Sequence, residues 1–269
     1  NVITVDQLII VNDVTPPTAS NPVTVNVECI FDVPATDITV VTDEADNCTA
    51  APVVAWVGDV SDGLTCPETI TRTYSITDDC GNVSTSVQVI TVVDSTNPTA
   101  SNPADINVEC ASEVPSPDPS VVLDEADNCS TPTVTWVKDE SDNGSCPETI
   151  TRTYKVEDAC GNSIEVTQKI IIKDETKPVA PAAPADLNLE CADDVPPPVD
   201  LTAVDNCGDI TVSPTSQITP GVCVNDFTMI RTWTFTDTCG NTSRVSQKKI
   251  VKDDKAPVPP AAPADLNLE

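Results

Sequence analysis

The sequence predicts an all-β chain of tandem immunoglobulin-like β-sandwich repeats, each about 80 residues long and stapled by two disulfides. Three observations predict this fold. Cysteine motifs recur at a constant interval, apolar residues alternate with polar ones along short segments, and the chain has 12 cysteines but no histidine. Aromatic residues make up only 3% of the chain, so each core buries little apolar area and depends on covalent cross-links.

The repeat is defined by three cysteine motifs that each occur three times in the same order. They are Val-Glu-Cys or Leu-Glu-Cys at 27–29, 108–110 and 189–191, Asp-Asn-Cys at 46–48, 127–129 and 205–207, and Cys-Gly-Asn at 80–82, 160–162 and 239–241. We therefore predict repeat 1 at 14–94, repeat 2 at 95–174 and repeat 3 at 175–253. Residues 1–13 are predicted to be the last strand of a preceding repeat and 254–269 the start of a following one, which implies a longer array.

Alternating residues predict the strands of repeat 1. Residues 68–78 place Ile70, Tyr74 and Ile76 on one face and threonine or serine on the other, which indicates a half-buried strand. Gly81 supplies the turn into a second strand at 83–93. Earlier strands are predicted at 23–27, 38–41 and 53–57, the last containing Trp56, which we expect in the core. This spacing predicts about seven strands in each sandwich.

The composition indicates an extracellular protein. Cysteine-rich chains without histidine are unusual in a reducing cytosol. The net charge of −30 repels nucleic acid and anionic membranes and favours cations as partners. No apolar run approaches the roughly 20 residues that span a bilayer, and residues 1–20 lack the pattern of a signal peptide. An export signal or anchor is therefore expected outside this segment.

The four cysteines of one repeat allow three pairings, and sequence alone does not choose between them. Cys66 and Cys80 lie at opposite ends of a strand, roughly 30 Å apart, which argues against a bond between them. We favour bonds within each repeat between cysteines at the same end of the sandwich. Zinc binding is the weaker alternative, because the nearest cysteines are about 14 residues apart and histidine is absent. The favoured pairs are Cys29–Cys66, Cys48–Cys80, Cys110–Cys146, Cys129–Cys160, Cys191–Cys223 and Cys207–Cys239.

Acidic residues are predicted to meet where one repeat follows another, because the Cys-Gly-Asn end of each repeat faces the preceding repeat. Carboxylate and amide oxygens are the ligands that Ca²⁺ prefers, and the ion would offset the repulsion between them. The opposing interpretation is that these residues cap turns with their own side chains. No contiguous calcium-binding loop is present. The candidate ligands are Asp13, Asp43, Asp46, Asp78 and Asn82, then Asp94, Asp124, Asp127, Asp158 and Asn162, then Asp174, Asp205, Asp237 and Asn241.

We predict no enzymatic activity. A nucleophilic cysteine usually needs a histidine base, which this chain lacks. Paired carboxylates are too common among 43 acidic residues to indicate a glycosidase. Arg72, Arg152 and Arg231 recur on the apolar face of their strands, where we expect each to cover the edge of the core and pair with a carboxylate rather than bind a ligand.

Five motifs together resemble a known repeat family. They are the linker Asp-x-Thr-x-Pro, Val-Glu-Cys, Ala-Asp-Asn-Cys, Arg-Thr-Tyr and Asp-x-Cys-Gly-Asn. Over essentially its whole length the chain resembles the HYR-like immunoglobulin-type repeats of very large surface proteins from Bacteroidota. The resemblance implies secretion by the type IX route and a stalk or adhesive filament at the cell surface, including adhesins used in gliding motility. Repeat 3 departs from the pattern at 204–205 and 221–223.

The leading hypothesis is a non-enzymatic extracellular stalk or filament of a cell-surface adhesin, rigidified by Ca²⁺ where repeats meet. Its expected partners are neighbouring repeats of the same chain, surface glycans and other copies of the protein. Two alternatives stay open. In the first, the repeats are accessory binding modules of a secreted polysaccharide-degrading enzyme. In the second, they form a self-assembling surface fibre through their edge strands.

Overall fold

A computed structural model describes residues 2–261 of the chain. Asn1 and residues 262–269, which hold most of the predicted start of a following repeat, lie outside the described residues. The predicted all-β class is confirmed, since residues 2–261 contain strands and short 3-10 turns but no α-helix. The tandem organisation is confirmed as well, because the same order of strands is met three times along the chain.

Repeat 1 is built on one four-stranded sheet with the order β1-β4-β3-β2. β1 pairs in parallel with β4, and the remaining pairs are antiparallel. The hairpin predicted around Gly81 is present between β3 and β4, and this glycine has a φ of 90°, which an L side chain adopts only with strain. The strands are β1 Val25–Val27, β2 Val53–Ser61, β3 Glu68–Thr77 and β4 Val83–Val92.

Repeat 2 has the same topology, with the sheet order β5-β8-β7-β6. Its first strand again pairs in parallel with its last, Ile106 lying opposite Ile170. The central strand β7 therefore occupies in repeat 2 the position that β3 occupies in repeat 1. The strands are β5 Ile106–Val108, β6 Thr133–Ser141, β7 Glu148–Glu157 and β8 Ser163–Ile172.

Repeat 3 has a four-stranded sheet of the order β12-β13-β14-β9 and a separate two-stranded sheet. Ala203 of the small sheet packs on Trp233 and Phe235 of β13, so two β layers enclose this core. The strands are β9 Leu187–Leu189, β10 Leu201–Ala203, β11 Ile210–Val212, β12 Thr215–Pro220, β13 Asp226–Thr236 and β14 Thr242–Lys252.

The second layer of repeats 1 and 2 has fewer strands than the sequence predicts. The strand expected at 38–41 is a 3-10 turn at Ile38–Val40, because the Asp37 side chain accepts the Thr39 N–H and bends the backbone out of a ladder. Asp118 caps the corresponding turn of repeat 2 in the same way. An isolated bridge between Thr18 and Ala45 completes the layer in repeat 1. Residues 2–13, predicted to be a strand, form none in the structure.

The cores follow the predicted alternation. Tyr74 and Ile76 are fully buried against Val41, and Tyr154 occupies the matching place in repeat 2. Trp233 fills this position in repeat 3, where its ring takes the place of the tyrosines. Arg72, also buried, pairs with the Asp59 carboxylate at 2.8 Å, as predicted for the rim of the core.

The predicted burial of Trp56 is wrong. Its side chain is 47% exposed, as is that of Trp136. Trp56 lies on β2, which is the edge strand rather than a central strand of its sheet. Its indole N–H donates to Asp59, so the ring covers the outer side of the ion pair with Arg72.

The described chain divides into two compact units. Unit 1 comprises 1–104, 117–138 and 152–168, and unit 2 comprises 105–116, 139–151 and 169–269. Each unit contains one contact between successive repeats. The ends of repeats 1 and 2 that meet lie in unit 1, and the ends of repeats 2 and 3 that meet lie in unit 2. Within residues 2–261, no helix is long and apolar enough to cross a membrane.

One buried position differs between repeats in a way that predicts a stabilising substitution. Lys249 is 1% exposed on β14, where repeats 1 and 2 have the fully buried Ile90 and Ile170. Its ammonium has one carbonyl partner, Pro196 O at 3.5 Å, and burial followed by the nearby charge of Arg231 lowers the pKa of Lys249. The charged form is therefore disfavoured in the folded repeat.

We expect Lys249→Ile to raise the free energy of unfolding of repeat 3 by about 1–3 kcal/mol near pH 7, measured by calorimetry or urea unfolding. Because the folded pKa is lowered, the gain should shrink as the pH rises toward 10.5, where the unfolded lysine also loses its proton. Lys248→Ile, on the exposed face of the same strand, is the matched control and should change stability little. Equal effects of the two substitutions would contradict the burial argument.

Candidate functional site: the repeat junctions

Four disulfides in the described residues join each repeat to the next one. We call each contact between successive repeats a junction, and we use the same word for the contact between residues 2–13 and repeat 1. Cys29–Cys129 and Cys66–Cys160 cross the junction of repeats 1 and 2, with Cα atoms 5.0 and 5.2 Å apart. Cys110–Cys207 and Cys146–Cys239 cross the junction of repeats 2 and 3 in the same arrangement. Each described junction between two repeats is therefore held by the chain itself and by two further covalent bonds.

The predicted pairing within each repeat is wrong. The sequence argument placed Cys29 and Cys66 at one end of repeat 1 and Cys48 and Cys80 at the other, and the structure keeps the members of each pair at one junction. The partners differ because the linkers are short, which brings the Asp-Asn-Cys and Cys-Gly-Asn turns of the following repeat within disulfide reach. The six predicted pairs that the structure does not contain are Cys29–Cys66, Cys48–Cys80, Cys110–Cys146, Cys129–Cys160, Cys191–Cys223 and Cys207–Cys239. Cys48, Cys80, Cys191 and Cys223 are exposed free thiols.

The glutamate of the Val-Glu-Cys motif also crosses each junction. The Glu28 carboxylate accepts the hydroxyls of Ser95 and Thr96 at 3.0 and 2.8 Å, and the Asn128 amide at 3.2 Å. The hydrogen bond from Thr96 contributes most to holding the pKa of Glu28 below its usual range. In unit 2, Glu109 accepts Thr176 and Asn206 in the same way. Sequence reasoning missed this role, although the motif recurs in step with the asparagine that it binds.

The asparagine of the Cys-Gly-Asn turn ties the linker to the next repeat. The Asn82 amide donates to the Asp13 carbonyl at 3.2 Å and to the Asp78 carboxylate at 2.7 Å. Asn162 and Asn241 make the matching pair of bonds at the other two junctions. These three predicted ligands therefore present N–H groups to the acidic residues, and their backbone carbonyls accept the N–H of Asp78, Asp158 and Asp237.

Carboxylates converge at each junction beside these asparagines. One oxygen from each of Asp13, Asp46 and Asp78 lies within 4.8 Å of the others. At the next junction, one oxygen from each of Asp94 and Asp127 lies within 4.8 Å of the other and of the Cys129 sulfur. Asp174, Asp205 and the Cys207 sulfur are grouped in the same way. Both sulfurs belong to disulfides, so they offer no thiolate to a metal. A cavity of about 320 Å³ opens beside Asp174, Asp205 and Asp237.

Other predicted ligands lie in different roles. Asp43 and Asp124 accept the backbone N–H of Ser20 and Ser101, both at 2.9 Å, which is the turn-capping role of the alternative interpretation. Asp158 accepts three N–H groups from Cys160 and Asn162. Asp237 accepts two from Asn241 and adds its negative charge near Asp205.

Several carboxylate oxygens of the clusters are buried and have no protein partner. They are Asp13 Oδ2, Asp46 Oδ1, Asp127 Oδ1, Asp174 Oδ2 and Asp205 Oδ1. Asp174 is 5% exposed, so burial of its free oxygen costs free energy that a cation would recover. These oxygens are hard donors of the kind that Ca²⁺ takes, so the residues present fit the ion.

The electrostatics of the clusters differ between repeats. The backbone N–H of Thr49, then that of Cys48, lowers the pKa of Asp46. The pKa of Asp127 is also lowered, since N–H groups of Cys129 and Ser130 outweigh its burial. Burial, and then the charges of Asp174 and Asp237, raise the pKa of Asp205, which accepts one N–H, from Cys207 at 3.2 Å. The ionised form of Asp205 is therefore disfavoured, whereas those of Asp46 and Asp127 are favoured.

The sequence matches one known domain family. The description "HYR-like domain with 4 cysteines" fits residues 98–172 and 179–248, more than half of the chain. The chain belongs to this family. Its matched segments fall within repeats 2 and 3, and repeat 1 carries the same four cysteines in the same order. The molecule is thus a tandem array of disulfide-rich, extracellular-type HYR-like repeats.

Comparison with solved structures returns cadherin ectodomains. Human CDH23 EC21-23 is 11% identical, with 88% of this chain and 100% of that chain covered, at a TM-score of 0.32. Drosophila N-cadherin EC1-3 is 14% identical, with 87% and 99% covered, at a TM-score of 0.36. Similarity at this level carries no inference about ligands or assembly. No curated protein matches the sequence.

Peptide mapping checks the cross-junction disulfides of the HYR-like array. After free thiols are blocked and the unreduced protein is digested, mass spectrometry is expected to find Cys66 linked to Cys160 and Cys110 linked to Cys207. The blocking group should appear on Cys48, Cys80, Cys191 and Cys223. A reduced and alkylated sample is the control. Peptides joining Cys29 to Cys66, or Cys110 to Cys146, would refute the bonds described above.

Substitutions of equivalent aspartates should have opposite effects in chelator. Asp205→Asn is expected to raise the free energy of unfolding at pH 7 by less than about 1 kcal/mol, because it removes a repelled carboxylate at the protein surface. A raised folded pKa gives stability that is complete below the unfolded value of 3.8 and is lost as pH rises, so the gain should vanish near that pH.

Asp46→Asn is the matched comparison, since the pKa of Asp46 is lowered and its charge stabilises the fold above the unfolded value. This substitution should lower the melting temperature at pH 7 and have less effect as the pH falls. Calorimetry of both variants from pH 4 to pH 8 measures the difference. The same sign for both substitutions would show that the N–H donors around Asp46 do not control its charge.

Proposed function

We propose that this array of HYR-like repeats is the non-enzymatic stalk of a cell-surface adhesin, stiffened at its junctions by disulfides and Ca²⁺. The observation that carries the proposal is the pair of disulfides across each described junction between repeats. An array of independent binding modules needs no bonds between modules, whereas a stalk needs neighbours that hold their orientation.

The junction contacts support stiffness. A single proline-bearing linker between two domains leaves rotation about a few backbone bonds. Two added disulfides give three covalent connections between neighbours, and Glu28 and Asn162 add hydrogen bonds across the same interface. Bending or twisting of a junction must therefore stretch covalent bonds or break several polar contacts together.

Calcium is proposed to complete the junctions. The clusters around Asp13, Asp94 and Asp174 hold carboxylate oxygens that lack protein partners, next to linkers already bound by asparagine. A divalent ion there would neutralise charge within a chain of net charge −30 and join the linker to both neighbouring turns. The ion would add stiffness that depends on its concentration.

The same bonds support the extracellular setting of the proposal. Disulfides persist in oxidising surroundings, and four of them cross junctions here. The resemblance described above supports export by the type IX route and a surface adhesin of the gliding or filament type. Adhesion by many weak identical sites, or by a separate tip, is the role proposed for the stalk, with glycans or other copies of the protein as partners.

Small-angle scattering and thermal unfolding of the oxidised chain test this proposal together. Ca²⁺ is expected to raise the melting temperature and lengthen the particle relative to chelator, and Mg²⁺ should do less because it keeps its own waters. Reduction of the disulfides should shorten and broaden the distance distribution. The measured stabilisation should follow the logarithm of the Ca²⁺ concentration above the dissociation constant.

Two variants locate the effect. Asp174→Asn combined with Asp205→Asn should remove the calcium response of the third junction and leave the other two. Asp37→Asn combined with Asp118→Asn is the matched control, since these exposed turn caps are outside the clusters and asparagine can keep the cap. No response of the wild-type chain to Ca²⁺ in either measurement would remove the ion from the proposal. A flexible oxidised particle would remove the stalk.

A further inference from the structure

Three central strands and two disulfides form one covalent path through the array. β3 lies between Cys66 and Cys80, β7 between Cys146 and Cys160, and β13 between Cys223 and Cys239. Cys66 is bonded to Cys160, and Cys146 to Cys239. The path from Cys80 to Cys223 therefore runs along one strand, through a disulfide, along the next strand, through a second disulfide and along the third. We call this route the central-strand path.

Little length is stored in the central-strand path. Its strands are nearly the whole of each segment, for example residues 148–157 of the segment from Cys146 to Cys160. A β-strand rises about 3.3 Å per residue, and a fully extended chain reaches only about 3.6 Å per residue. Pulling on this path can therefore lengthen each segment by about a tenth.

The other disulfide of each junction, Cys29–Cys129 or Cys110–Cys207, belongs to a different covalent route. In repeat 2 the chain between Cys110 and Cys129 contains two 3-10 turns, Ala111–Glu113 and Pro119–Val121. A 3-10 turn rises only about 2 Å per residue, so this segment has slack that the strand lacks. Under tension between Cys80 and Cys223 the central-strand path becomes straight before any route through this segment. It shares the load with the route from Cys80 to Cys110 and across Cys110–Cys207 to Cys223, which has about 46 residues.

We infer that Cys66–Cys160 and Cys146–Cys239 make the central strands of successive HYR-like repeats into a continuous, nearly inextensible load path. Force entering at one cysteine passes along a strand and into the next repeat through covalent bonds. The hydrogen bonds between β3 and its neighbours β2 and β4 are not in series with this force, so the sheet stays paired. A pull on the array is then transmitted without unfolding of the repeats. Its use in a stalk rests on the proposed function, but the path itself does not.

The free thiols at the two ends of the path allow a direct test. In the variant Cys48→Ser with Cys191→Ser, the remaining exposed thiols are Cys80 and Cys223, to which DNA handles can be attached by maleimide. In optical tweezers the oxidised molecule should reach a limiting extension of about 160 Å between the two attachment points, from about 44 residues of path. After reductant is added the limiting extension should rise to about 500 Å, roughly threefold, since about 143 residues then separate the handles.

The complementary variant, Cys80→Ser with Cys223→Ser, places the handles on Cys48 and Cys191. Its shortest covalent route runs from Cys48 to Cys66, across Cys66–Cys160 and on to Cys191, about 49 residues, so the molecule should reach about 180 Å before reduction and about 500 Å after it. An oxidised Cys80–Cys223 molecule that extends by hundreds of ångströms in unfolding steps would overturn the inference. A limiting extension of the Cys48–Cys191 molecule that is shorter than that of the Cys80–Cys223 molecule would also overturn it. The same molecule after reduction controls for misfolding. A stalk that proves flexible or insensitive to Ca²⁺ leaves these limits unchanged, so the two proposals fail separately.

Discussion

The disulfides that cross the junctions are the constraint on which the rest of the structure depends. A repeat with few aromatic residues and a four-stranded sheet has a small core, and its stability on its own is expected to be low. Bonds from Cys29 to Cys129 and from Cys66 to Cys160 let neighbouring repeats share their ends. The compact units follow the junctions rather than the repeats, since both disulfides of each junction lie within one unit.

The strands and the core were accessible from sequence because they depend on local patterns. Alternation identifies β3 and β4, and the same alternation places Tyr74 and Ile76 inside. The turn at Ile38–Val40 was not predicted, because the hydrogen bonds that the Thr39 N–H and hydroxyl donate to the Asp37 carboxylate outweigh the β preference of valine and isoleucine. Trp56 was misplaced because alternation shows which face a residue takes but not whether its strand lies at the edge of the sheet.

The cysteine pairing could not be derived from the residues of one repeat alone. Strand length correctly assigns Cys66 and Cys80 to opposite ends of β3, and this excludes one pairing. Choosing between a partner in the same repeat and one in the next requires the orientation of the neighbour, which depends on Glu28, Asn128 and the linker together. The acidic clusters were easier to anticipate, because their aspartates recur beside the same turns, although Asp43 and Asp124 cap backbone N–H groups instead.

The partners of each disulfide lie 93 to 100 positions apart along the chain, more than one repeat length. A cysteine of one repeat can therefore reach its partner only when the neighbouring repeat is present. The same arrangement makes the array tolerant of changes in copy number. If recombination removed or added a whole repeat, the cysteines on either side of the cut would still meet partners of the correct type. An array of this kind can change its length over generations without leaving a thiol stranded in its interior.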